Sequence, residues 1–111
     1  MATVDRQVGR LDVQLEAEGE RVVVRAWGEL DLSSANAFEA ALRRAIRASD
    51  FGVVLDLGGV TFIDSPGLHA LIAASTLCLT SRRELIMLRA SPQVKQVIET
   101  SGLEDLLPLA D

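Results

Sequence analysis

The chain has 111 residues, with 11 Lys and Arg against 16 Asp and Glu and a formal net charge of −5. Nearly half of it is apolar and about a quarter charged, the balance of a single domain that folds without disulfides or metal. No stripe of Lys and Arg runs along any segment, which argues against nucleic acid and anionic membrane surfaces as partners, and the one cysteine, Cys78, excludes an intrachain disulfide.

Residues 1–10 carry no apolar core and no signal-peptide layout, and are expected to be an N-terminal tail before one domain at 11–111. "LDVQLEAE" alternates, with Leu11, Val13 and Leu15 on one side and Asp12, Gln14 and Glu16 on the other, as a half-buried strand does. After the turn "EGE", the β-branched run "RVVVRAW" completes an antiparallel hairpin. In "LDLSSANAFEAALRRAIRAS" the period changes to a helix with Ala35, Phe38, Leu42, Ala45 and Ile46 on its inner face. Glu39 and Arg43 stand four apart on the outer face, and Asp31 or Ser33 is expected to cap the start.

"GVVLDL" at 52–57 is apolar apart from Asp56 and reads as a strand covered on both faces. "PGLHALIAASTLCLTS" is a helix with an expected inner stripe of Leu68, Leu71, Ile72, Ser75 and Leu79; its apolar stretch is too short to cross a bilayer. "ELIMLRA" is a further strand and "SPQVKQVIETSG" a further helix, with Gly102 at its C-terminal cap. "LEDLLPLAD" is a closing turn or short helix. Strands alternating with helices predict an α/β domain: a mixed sheet of four to five strands, an antiparallel leading hairpin and mostly parallel strands after it, with about four helices.

The stretch "IDSPGL" between strand and helix admits two readings. Ser65 followed by Pro66 is a helix start, with Ser as N-cap and Pro at the first helical position, and Ser91-Pro92 repeats the pattern. Against that, Asp64 precedes Ser65, Gly67 uncovers the backbone, and the turn follows a buried strand, where loops of α/β sheets carry function. The N–H groups of a helix start favour a negative group, so a phosphate on Ser65 is expected to be tolerated there.

"VVLDLGGVTFIDSPGLHALIAAS" resembles the central segment of a STAS domain of the anti-sigma factor antagonist type. "GELDLSSANAFEAAL" and "ELIMLRASPQVKQVIETSGLEDLLPL" are similar to the family's segments on either side. The resemblance implies a bacterial, cytoplasmic, non-enzymatic regulator of transcription without cofactor or metal. It implies binding to an anti-sigma factor of the Ser/Thr kinase type, release of a sigma factor under stress, switch-off by phosphorylation of Ser65, and restoration by a PP2C-like phosphatase. It places Asp31, Asp64, Ser65, Pro66, Gly67, Leu68 and His69 on the docking surface, in a monomer or weak dimer. Pro66 departs from the Ser, Thr or Ala of many relatives and removes one backbone N–H. The alternative is an unphosphorylated scaffold or accessory subunit of a sensory or transport complex.

Other residues have simpler readings. His69 stands four after Ser65, but no G-x-S-x-G elbow or oxyanion hole accompanies it, so a serine hydrolase is disfavoured. Cys78 and Trp27 are expected to pack, Asp56 to pair or lie at a strand end, and Glu39, Arg43, Arg44 and Arg47 to form a solvated face. Gly58-Gly59 lacks the pattern of a phosphate-binding loop, and no cluster has metal-ligand spacing.

Overall fold

Apolar residues at every second position build the inner face of one sheet. The computed structural model describes residues 3–8, 10–107 and 109–110, among which are six strands and three helices. In chain order they are β1 (Thr3–Val8), β2 (Leu11–Glu18), β3 (Arg21–Leu30), α1 (Ala35–Ala48), β4 (Gly52–Ile63), α2 (Ser65–Thr80), β5 (Glu84–Leu88), α3 (Pro92–Thr100) and β6 (Leu109–Ala110). The strands lie side by side in the order β1-β2-β3-β4-β5-β6. β1, β2 and β3 pair antiparallel; β3 to β6 pair parallel, each connection made by a helix.

The α/β class, the leading hairpin and the later parallel strands are as expected. The sheet is wider than expected and the described helices number three rather than about four. Residues 1–10, expected to be a tail, supply β1: an edge strand needs only backbone pairing on one side, which hydropathy does not announce. The closing segment is a turn with Leu107 fully buried, followed by β6 beside β5.

Val13 stands opposite Ala26, Val24 opposite Leu55, and Leu55 opposite Met87, so one face of the sheet is a continuous apolar layer. α1 buries Ala35, Phe38, Ala41, Leu42, Ala45 and Ile46, spaced three and four apart as its sequence requires. The Glu39–Arg43 pair forms at 2.8 Å on its outer side. α2 buries Gly67, Leu68, Ala70, Leu71, Ala74 and Cys78. Its phase differs from the expected stripe: Ile72 and Ser75 are half-buried and Leu79 is 81% exposed. A helix apolar nearly all round carries no local signal of phase, and packing against α1 and the sheet selects it.

On the other face, Arg21 pairs with Glu84 at 2.8 Å and lies 4.5 Å from the centre of the Phe51 ring. Arg25 stands 3.9 Å from Glu16. Val23, between the two arginines, is buried, as expected where long charged side chains lie along an apolar surface.

β4 was expected at 52–57 but runs on through Gly58 and Gly59 to Ile63. Its register with β3 shifts between Arg25 and Trp27 and again between Gly28 and Glu29. A Cβ at Gly59 would collide with that of Trp27, so glycine lets Trp27 lie across the neighbouring strand, half-exposed rather than packed in the core. Beyond the bulges Leu30 and Ile63 come opposite each other, and the loops that follow β3 and β4 emerge side by side.

Candidate functional site

Two loops leave the carboxyl ends of the neighbouring parallel strands β3 and β4, the edge where open α/β sheets present functional residues. In the first, Asp31 Oδ1 accepts hydrogen bonds from Ser33 N at 2.9 Å and Ser33 Oγ at 2.6 Å. Ser34 Oγ accepts from Asp31 N at 3.0 Å and donates to Glu29 O at 3.0 Å. The N-cap of α1 is Ser34, without a side-chain cap bond, rather than the expected Asp31 or Ser33. Asp31 instead ties the turn that leads into the helix, and Leu32 is left 75% exposed on it.

The hydrogen bond from the Ser33 hydroxyl is the main cause that holds the Asp31 carboxyl below its ordinary value; slight desolvation opposes it, and Ser33 N–H and the Arg10 charge lower it further. Asp31 is therefore an anion at neutral pH. Because its folded value lies below the unfolded one, any stability it lends is present at neutral pH and lost as pH falls through the folded value. Ser33→Ala should move the Asp31 titration upward, followed by NMR of its side-chain carboxyl. An unchanged midpoint would refute this assignment.

In the second loop Asp64 is the N-cap of α2. Its Oδ1 accepts from Gly67 N at 3.1 Å and its Oδ2 from Leu32 N at 3.2 Å, while Asp64 N donates to Leu30 O at 3.3 Å. One carboxylate thus starts the helix and joins both loops. Ser65, expected to be the cap, is the first helical residue and Pro66 the second; the Ser65 hydroxyl is exposed. At the similar Ser91-Pro92, Ser91 is the cap, is buried, accepts from Val94 N at 3.4 Å and donates to Val60 O. The same dipeptide does two jobs because Asp64, an equally good cap, precedes only the first.

A Cβ at Gly67 would lie 2.5 Å from Leu30 O and 2.8 Å from Leu30 Cγ, so only glycine lets α2 start this close to β3. Leu68, expected on the docking surface, is buried: it stands three residues before Leu71, on the side of α2 that faces the core. Pro66 is half-buried. His69, one helical turn beyond Ser65, is exposed on the same side of α2. The outward side chains are Leu32, Ser33, Ser65 and His69, with half-buried Asp31 and Asp64 beneath them. Leu32 went unnoticed in the sequence and Ser33 was read only as a helix cap, because "LDLSS" carries no sign of a turn held from outside.

The helix start offers a phosphate on Ser65 less than expected. Pro66 has no N–H, Gly67 N is bonded to the Asp64 carboxylate and Leu68 N to Asp64 O. Both Asp64 oxygens accept from backbone N–H groups, so this carboxylate does not orient His69 for a hydrolase relay. Asp56 accepts from Gly58 N and pairs with Arg89 at 3.5 Å. Cys78 is buried, which pushes its thiol up. Among the described residues no group of three or more His, Cys, Asp or Glu is placed to hold a metal, and no helix is long and apolar enough to cross a membrane. Open pockets of about 390 and 160 Å³, lined by Lys95, Ile98, Glu99, Glu104, Leu107 and Leu109 and by Ser75, Cys78, Leu79, Arg83 and Leu85, lie away from these loops. The two loops form one continuous face, with the exposed Ser65 on it.

Known proteins share this fold. The STAS domain family model matches residues 12–111. The anti-sigma F factor antagonist of Paenibacillus polymyxa is 29% identical over 104 residues, 91% of this chain and 89% of that protein. The solved anti-sigma factor antagonist SpoIIAA in its unphosphorylated form is 27% identical with a TM-score of 0.73, over 89% of this chain and 88% of that one. The Bacillus cell fate determinant SpoIIAA in its phosphorylated form is also 27% identical, with a TM-score of 0.69, over 89% and 91%. Matched across nearly its whole length in sequence and in fold, this chain belongs to the STAS domain family.

Proposed function

We propose that the chain is an anti-sigma factor antagonist: it binds an anti-sigma factor of the Ser/Thr kinase type, frees a sigma factor, and is switched off when that kinase phosphorylates Ser65. The observation that carries this reading is the Ser65 hydroxyl, exposed and relieved of capping by Asp64, on a face that also presents Asp31 and His69. The names of its relatives support it, one an anti-sigma F factor antagonist and another solved both unphosphorylated and phosphorylated.

The docking surface comprises Asp31, Asp64, Ser65, Pro66 and His69, with Gly67 and Leu68 seating the helix start beneath it. A phosphate on Ser65 adds about −1.5 to −2 charges next to Asp64. Because Pro66 has no N–H and those of Gly67 and Leu68 are already bonded, that charge stays at the surface, where a docked partner would have to bury it. The chain itself performs no catalysis; in the cytoplasm the kinase adds the phosphate and a PP2C-like phosphatase removes it.

The test is intact-mass spectrometry after incubation with ATP and kinase-type anti-sigma factors of the same organism, followed by peptide mapping. One added phosphate on Ser65, absent from Ser65→Ala, is the expected result. No phosphate with any of these kinases would overturn the switch and favour a constitutive scaffold.

A further inference from the structure

We propose that Leu32 is the apolar anchor by which this chain seats in its kinase-type anti-sigma partner, and that Asp64 positions it; this deepens the function proposed above and rests on it. Leu32 is a large apolar side chain, 75% exposed, on a turn that is bonded at each of its residues. Its own N–H donates to Asp64 Oδ2 at 3.2 Å. Asp31 N donates to Ser34 Oγ, and Ser33 N to Asp31 Oδ1. An apolar side chain on a backbone already held in place loses little freedom when it docks, so more of its burial appears as affinity.

The surroundings define the partner's chemistry. Asp31, the preceding residue, is an anion held below the ordinary carboxylate range. An apolar knob beside a fixed negative charge fits an apolar hollow rimmed by Arg or Lys. The same Asp64 carboxylate that holds Leu32 N belongs to the neighbour of Ser65. The phosphate acceptor and the anchor are thus joined through one side chain, and modification of Ser65 acts where the anchor is held.

A second leucine supplies the control. Leu79 is 81% exposed but lies near the other end of α2, about 20 Å along the helix from Ser65. The experiment uses the full chain and measures affinity for the kinase-type anti-sigma factor by calorimetry, with thermal melts of each variant. Leu32→Ala should bind about 10- to 100-fold more weakly at an unchanged melting temperature, and Leu79→Ala should bind like wild type. Asp64→Asn can keep its oxygen on Gly67 N, but its amide group cannot accept from Leu32 N. It should therefore weaken binding with little change in melting, while hydrogen exchange at the Leu32 amide quickens. A rise in that exchange separates positioning from a simple loss of charge. Leu32→Ala binding as tightly as wild type, or Leu79→Ala weakening binding equally, would overturn the anchor alone. A wild-type chain that no kinase-type anti-sigma factor binds would overturn the anchor and the proposed function together.

Discussion

Ser65→Asp is expected to bind a kinase-type anti-sigma factor at least about 30-fold more weakly than wild type, and Ser65→Ala to bind it normally, with neither variant losing folding stability. The stability half follows from the cap. Replacing a capping serine by alanine costs about 0.5–2 kcal/mol. Here the Gly67 N–H is capped by Asp64, and the Ser65 hydroxyl stands exposed, so its removal costs little. An aspartate in the first turn gains about 0.3–1 kcal/mol from the helix dipole, offset by repulsion from Asp64. The binding half follows from desolvation. A charge placed at the centre of a docked surface without a partner costs about 2–5 kcal/mol. Calorimetric titration with the anti-sigma factor and thermal melts of both variants check the two halves separately. Equal binding by both would sink the switch. A marked drop in melting temperature for Ser65→Ala would return the cap to Ser65.

Gly67→Ala should lower stability by about 1–3 kcal/mol and weaken docking with it. At an ordinary interior helix position the sign is opposite, because alanine favours the helix by about 1 kcal/mol over glycine. The reversal comes from the close approach of α2 to β3. The new Cβ would lie 2.5 Å from Leu30 O, 2.8 Å from Leu30 Cγ and 3.0 Å from Ile63 Cγ1. The first of these is backbone, and it already accepts from Asp64 N at 3.3 Å. The helix start must therefore lift, which strains the Asp64 bond that holds Leu32. Chemical denaturation and the same binding assay measure the two effects. A more stable Gly67→Ala would show that the helix start has room to spare.

Much of this protein is written in local pattern. The alternation of Leu11, Val13 and Leu15 defines a strand and its inner face, and the three-four spacing of Phe38, Leu42 and Ile46 defines α1 and its inner face. The Glu39–Arg43 pair follows from spacing alone. "LDLGGVTFIDSPGL" identified the family, and the family model bears that out. Each of these depends on residues within a turn or a strand of one another.

What the tertiary structure decided depends on groups far apart in the chain. β1 and β6 exist because neighbouring strands offer them backbone partners, and neither advertises itself by hydropathy. The phase of α2 was open because the helix is apolar almost all round; packing turned Leu68 inward and Leu79 outward. The cap of α2 was a contest between adjacent Asp64 and Ser65, which local rules rank nearly equal. Asp64 both caps Gly67 N and takes the N–H of Leu32, a donor 32 residues earlier in the chain that only the pairing of β3 with β4 brings within reach. That one long-range hydrogen bond joins the two loops while the serine stays exposed, so the sequence by itself determined that Ser65 stands at a helix start, and the tertiary structure decided that its hydroxyl is free.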